Sequence, residues 1–246
     1  MQPSTLTSWV LVVTADQRGS RRGPDAVPAA LDRLAASPSL APLVEFERTV
    51  GDEIQGVLAD GRSVVEVVEH LLRSGSWRVG VGVGAVQTPL PVSTRAGRGP
   101  AFIAAREAVE ASRRSPVHVA VRGPRPGARD SWNEPGPGVV GGATYGPAQD
   151  RSDGVAGSDA EPTSGLDRVE LAESALWLLA GLFQRRTGEG WDVVEGRDRG
   201  ESGRSLAGRL GISPSAVSQR LRRAGYDEGV RGIGLCATLL DECLRP

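Results

Sequence analysis

Residues 123–168 constrain this chain more than any other stretch. Ten Gly and six Pro fall among these 46 residues. About a third Gly plus Pro, with no apolar period, is a composition that does not build a core. We read it as a flexible linker or long insertion and assign it no secondary structure. The remaining residues form two foldable stretches, 1–122 and 169–246. The chain of 246 residues is 39% hydrophobic with a formal net charge of −1. That suits globular folding. No run approaches the ~18 apolar residues of a membrane span. The apolar run at 9–13 has no basic segment before it, unlike a signal peptide. We therefore expect a cytoplasmic protein with no membrane partner.

Composition also excludes chemistry. There is no Lys, so every basic side chain is one of 29 Arg. A Walker A loop, a Schiff-base enzyme and a lysine general base are thereby ruled out. Two His (His70, His118) and two Cys (Cys236, Cys243) do not have the spacing of a zinc finger. Cys236 and Cys243 lie two helical turns apart, too far to bridge, and read as small apolar core residues.

The first stretch alternates strand and helix signals. Residues 9–15 (WVLVVTA) form a continuous apolar run, fit for a buried central strand. A polar, Gly-bearing loop follows, then helical spacing over 24–36 with Pro24 in the first turn. Runs at 44–50 and 54–58, split by Gly51-Asp52-Glu53, predict a β-hairpin. Residues 63–72 predict a helix and 77–86 a strand with Gly at 80, 82 and 84. A helix at 101–111 and a strand at 117–121 complete the set. The order β-α-β-β-α-β-α-β predicts an α+β domain with a ferredoxin-like sheet covered by helices on one face.

The second stretch is helical. Leu171, Ala175, Leu178, Leu179 and Leu182 mark one apolar stripe. Residues 205–225 (SLAGRLGISPSAVSQRLRRAG) have the pattern of a helix-turn-helix. It places small Ala207 where two helices cross, Gly211 at the turn, and apolar Val217 to pin the second helix. Ser213 is suited to N-cap that helix, with Pro214 next. Ser215, Ser218, Gln219, Arg222 and Arg223 then face outward, with Arg220 beside them. Residues 203–226 hold five Arg and no acid. Gln suits adenine, Arg suits guanine or phosphate, and Ser suits either base edges or phosphate. Ser213, Ser215, Ser218, Gln219, Arg220, Arg222 and Arg223 are the expected contacts to duplex DNA. Such readers commonly pair two half-sites, so we expect a homodimer through the 171–182 stripe or the sheet.

Two acidic points stand at strand ends in the first stretch. Asp16 closes the first strand, and Asp52 and Glu53 occupy the hairpin tip. A sheet that pairs the first strand with the hairpin brings Asp16 and Asp52 together. Paired carboxylates suit Mg²⁺ held jointly with phosphate oxygens. The loop Gln17, Arg18, Gly19, Ser20 and Arg21 leads to a helix N-terminus and offers N–H groups and positive charge to a polyphosphate. Plain structural roles are also open: Asp16 as a helix cap, Gly51-Asp52-Glu53 as a routine turn.

On these residues the first stretch resembles the nucleotide-cyclase fold of class III cyclases and GGDEF domains. Thr14-Ala15-Asp16 is similar to their first metal strand, and residues 48–53 to their metal-bearing hairpin. Arg48 stands at a base-selecting position, and Gly51 lies in the hairpin. Arg106 matches a catalytic Arg, while Phe102 takes the place of the Asn that positions ribose. The resemblance thus implies Mg²⁺ at Asp16, Asp52 and Glu53, a nucleotide also met by Arg48, Gly51, Arg95, Arg98 and Arg106, and no cyclisation. More narrowly, ADQRGS at 15–20, ERTVGDE at 47–53, PVSTRAGRGP at 91–100, AREA at 105–108 and the helix-turn-helix resemble the bacterial SatD-like family. The expectation is a DNA-binding transcriptional regulator with a degenerate sensory or assembly domain. The alternative is a Mg²⁺-dependent nucleotide-binding or nucleotide-processing enzyme with an accessory helix-turn-helix.

Overall fold

The computed structural model describes residues 7–123 and 167–245. Most of the expected linker, with the chain's one Asn at Asn133, lies outside the described residues. The fold is mixed, with five strands and eight α-helices among the described residues. In chain order these are β1 (Thr7–Gln17), α1 (Val27–Ala35), β2 (Val44–Arg48), β3 (Glu53–Leu58), α2 (Gly61–Arg73), β4 (Trp77–Gln87), α3 (Pro100–Ala111) and β5 (Val119–Arg122). Then come α4 (Arg168–Arg185), α5 (Gly188–Asp198), α6 (Gly203–Leu210), α7 (Pro214–Arg223) and α8 (Tyr226–Cys243).

One sheet holds all five strands, in the order β2-β3-β1-β4-β5. β1 pairs antiparallel with β3 and β4, β2 pairs antiparallel with β3, and β5 runs parallel to β4. Central β1 is covered on both sides, which its continuous apolar run requires. Leu11, Val13 and Ala15 enter one core cluster, Val10 and Val12 the other.

The expectation that helices cover one face is corrected. α3 lies on the second face, against Val10, Val12, Val57 and Val86 through Ala101 and Ala105. The alternate glycines of β4 admit it. A Cβ on Gly82 would lie 2.2 Å from Ala101 O and Ala105 N, and one on Gly80 2.2 Å from Val109 N. Helix backbone therefore sits almost directly on strand backbone, a closeness only Gly permits.

On the first face, α1 and α2 are joined by α4 and α8. Asp60 caps α2 by accepting from Ser63 N at 2.8 Å, and Asp167 forms a capping box with Glu170 at the start of α4. Val64, Val68, Leu71, Ala172, Leu176, Phe183, Cys236, Leu240 and Cys243 share one cluster with the sheet. The boundary drawn at 168/169 thus does not separate cores. α6 and α7 form a smaller cluster with Val193 of α5, around Leu206, Ala207 and Val217, while Trp191 and Val194 of α5 join the large one.

α4 also closes the sheet. It lies along edge strand β5, where unpaired backbone groups need partners. Trp177 Nε1 donates to Val119 O at 2.8 Å, Gln184 Nε2 to Val117 O at 2.8 Å, and Val121 N to Glu173 Oε2 at 2.6 Å. Both cysteines are free and buried, in agreement with a packing role. Among the described residues no helix is long and apolar enough to cross a membrane.

Candidate nucleic-acid interface and carboxylate pair

α6 and α7 are joined by a short turn at 211–213. Gly211 adopts φ +65°, in the left-handed region, and its N–H closes the end of α6. Ser213 Oγ accepts from Ala216 N at 3.2 Å and Pro214 follows, so the expected cap is in place. Ala207 and Val217 are buried where the helices meet, packed with Leu210, Ile212 and Leu221. α5 packs against α7 as a third helix.

The polar residues of α7 divide. Ser215, Ser218, Gln219 and Arg222 are exposed and recur at helical spacing, forming one outward stripe. Arg223 is exposed on its flank, beside a groove between α4 and α8. Among the described residues Arg222 and Arg223 make no ion pair. Ser213 and Ser215 share a hydrogen bond at 2.8 Å, and Ser218 Oγ donates to Pro214 O at 3.1 Å. Arg220 is only half-exposed and lies near Glu189 of α5. It is turned toward the neighbouring helix rather than along the outward stripe. Arg209 is also committed, to Glu201 at 2.9 Å.

In the first stretch the sheet does bring Asp16 to the hairpin. Asp16 pairs in register with Glu53, and Gln17 N donates to Asp52 O at 3.1 Å. Burial, then the charge of Asp52, pushes the Asp16 carboxyl above its ordinary range, against the pull of Arg78 and Arg113. Arg78 Nη1 stands 3.4 Å from Asp16 Oδ2. The sequence reading missed Arg78. Its signal was register: it is the β4 residue opposite Asp16, visible only once β1 and β4 are paired.

Several expected ligands are occupied elsewhere. Glu53 accepts from Thr49 within the hairpin, and no group of three or more His, Cys, Asp or Glu side chains converges among the described residues. Two carboxylates remain, and Mg²⁺ there would need phosphate or water for its other positions. Gln17 is 5% exposed and staples the loop, donating to Pro24 O at 2.7 Å and accepting from Ala26 N at 2.9 Å. It is structural rather than a nucleotide contact. Asp25, not Asp16, stands at the start of α1, where its Oδ1 accepts from Val27 N at 3.0 Å. Its ion pair with Arg48, foremost, holds the Asp25 carboxyl below its ordinary range. An anion thus already sits where a phosphate would approach α1.

The remaining arginines scatter. Arg48 also donates to Gly51 O at 3.2 Å, and Arg95 Nε donates to Arg48 O at 3.2 Å. Glu47 gathers the loop after β4, accepting from Ser93 Oγ at 2.6 Å, Thr94 Oγ1 at 2.8 Å and Arg95 N at 3.3 Å. That contact joins the 47–53 and 91–100 motifs. Arg98 is exposed, and its carbonyl accepts from Gln87 N at 3.0 Å. Arg106 is exposed on α3. Phe102 packs on the second-face cluster, close over Gly97. Gly19 takes φ +73° in a tight turn with exposed Arg21 and half-exposed Ser20, while Arg18 reaches toward Gly75 O at 3.5 Å, away from the hairpin. Comparison with family models, curated proteins and solved structures finds no match to this chain.

Proposed function

We propose that this protein is a DNA-binding regulator whose reading element is α7, of the helix-turn-helix kind and built onto a SatD-like, ferredoxin-like sheet. The observation that carries the reading is the outward stripe Ser215, Ser218, Gln219 and Arg222, flanked by Arg223, with no acid paired to either arginine among the described residues. The strand order β2-β3-β1-β4, antiparallel throughout, supports the ferredoxin-like part. In this reading a helix N-terminal half meets base edges in the major groove, and arginines at its end meet phosphates. Two copies would read paired half-sites. Leu178 at 79% exposure and Leu235 at 56% give α4 and α8 a face for a second copy. A monomer by light scattering, free and on DNA, argues against that arrangement.

The test is electrophoretic mobility of duplex DNA with the full chain at low salt. Affinity should fall steeply with salt as counterions are released. Arg222→Ala with Arg223→Ala should weaken all sequences and lower the salt slope by about 1 per lost phosphate contact. Gln219→Ala should instead redistribute sequence preference. No retained DNA at low salt overturns the reading.

A narrower reading attaches to Asp16 and Asp52. Burial first, and the charge of Asp52 second, raise the Asp16 carboxyl, and a Mg²⁺–nucleotide between the two carboxylates would offset that cost. The two carboxylates would hold the metal, and the metal would meet phosphate oxygens.

A further inference from the structure

Between the end of the sheet and helices α4 and α5 lies a cleft of about 260 Å³. Trp77 of β4 and Trp191 of α5 form its walls, and Arg18, Arg73, Arg186 and His118 line it. The charges there are poorly balanced. Arg73 is paired with Glu195, but Arg18 and Arg186 have no ion-pair partner among the described residues. Among the described residues the Arg18 side chain donates only to Gly75 O. Arg186 sits over Trp191 at 4.6 Å and over Phe183 at 5.2 Å, and donates only to backbone carbonyls. Glu69, then Asp198, are the acids whose charge acts on it, and burial favours the neutral form of the Glu69 carboxyl. His118, at the start of β5, has φ +58° and a buried Nδ1 with no partner among the described residues. Strained backbone of this kind concentrates at binding sites.

We propose that this cleft binds a small oxyanion carried on a planar ring, and that the ligand acts on α7 through Arg186. Guanidinium groups match the geometry of carboxylate and phosphate oxygens. Arg186 and Arg73 already lie over the Trp191 ring, so a ligand ring would meet the apolar side that Leu72, Phe183 and the margins of Trp77 and Trp191 give the cleft. The volume lies below the ~300–1,000 Å³ of drug-sized sites, so it suits one ring with one charged group. Arg186 Nε donates to Ala224 O at 2.9 Å and Nη2 to Gly225 O at 3.5 Å. Those carbonyls stand where α7 ends and α8 begins. A guanidinium has five N–H donors, so others remain for an oxyanion. A ligand that fixes Arg186 thereby fixes the end of the reading helix. Only this last step rests on the DNA-binding reading; occupancy of the cleft does not.

Calorimetry of the full chain with benzoate, phenyl phosphate and inorganic phosphate tests the site. Benzoate or phenyl phosphate should bind, and more tightly than inorganic phosphate. The two ring probes tell a carboxylate source from a phosphate source. Arg18→Gln and Arg186→Gln should each weaken binding about tenfold. Arg18 is exposed, so its variant keeps the fold even if that of Arg186 does not. Binding should survive Asp16→Asn, which separates this cleft from the carboxylate pair. Bound ligand should slow amide exchange over residues 224–229, a readout that needs no DNA. No heat with any probe at millimolar concentration, phosphate binding as well as the rings, or affinity unchanged in the folded Arg18 variant overturns the site. Unchanged exchange at 224–229 overturns the link to α7.

Discussion

Asp16 is held in a position that disfavours its charge. Burial and then Asp52 push its carboxyl above the ordinary value of 3.8, while Arg78 and Arg113 pull the other way. In the unfolded chain the group titrates near that ordinary value. Below it, both states hold the proton and nothing is lost. As pH rises, the unfolded state releases its proton first, so stability falls until the raised folded value is passed. Asp16→Asn should therefore be more stable than the parent at about pH 7, with the difference shrinking toward about pH 4. Thermal midpoints across that range check it; a difference independent of pH argues against the assignment. Mg²⁺ should relieve the same repulsion, raising the parent's midpoint at neutral pH but not the variant's. No rise in the parent overturns Mg²⁺ binding by this pair.

At the scale of elements, the β4–α3 contact and α6 make opposite demands on glycine. Gly82→Ala forces a Cβ to within 2.2 Å of two backbone atoms of α3, neither of which can rotate away. The helix must lift off the sheet, so a loss of about 3 kcal/mol or more is expected. Gly208 lies inside α6 with nothing within 4 Å of its would-be Cβ. Gly208→Ala should stabilise by about 1 kcal/mol, through helix propensity and a less flexible unfolded chain. Denaturant midpoints of the two variants should move in opposite directions. Movement in the same direction would contradict this account of the glycine stripe.

At the scale of the molecule, the C-terminal helix belongs to the sheet's core. α8 crosses the start of α2 closely enough that a Cβ on Gly61 would lie 2.4 Å from Ala237 O. Gly61 N donates to Asp241 Oδ1 at 2.6 Å across the same crossing. Leu240 is fully buried among residues of both chain halves. Leu240→Ala should cost about 2–5 kcal/mol and accelerate amide exchange in β1 and β4 as well as in α8. Acceleration confined to α5–α8 would mean that the sheet holds together without α8.

The order of strands and helices was legible in the sequence because local signals encode it. A continuous apolar run marks β1, the Gly51-Asp52-Glu53 turn splits β2 from β3, and Ser213-Pro214 starts α7. The meeting of Asp16 with Asp52 was also legible, since it follows from pairing β1 with the hairpin. What β4 does with its glycines was not, because alternate Gly reads as a weak strand until a helix is seen resting on it. Nor was the dual role of the 171–182 stripe: Leu179 is buried and Leu178 exposed, a division set by where β5 and α8 lie. The fates of the Gln17, Arg48 and Glu53 side chains depended on partners up to 23 residues away, in loops whose course no local pattern records. The sequence by itself determined the elements, through periodicity, capping and turn chemistry that act over a few residues. Tertiary structure alone decided which faces are covered and which charges stay unpaired, because both depend on contacts between segments far apart in the chain.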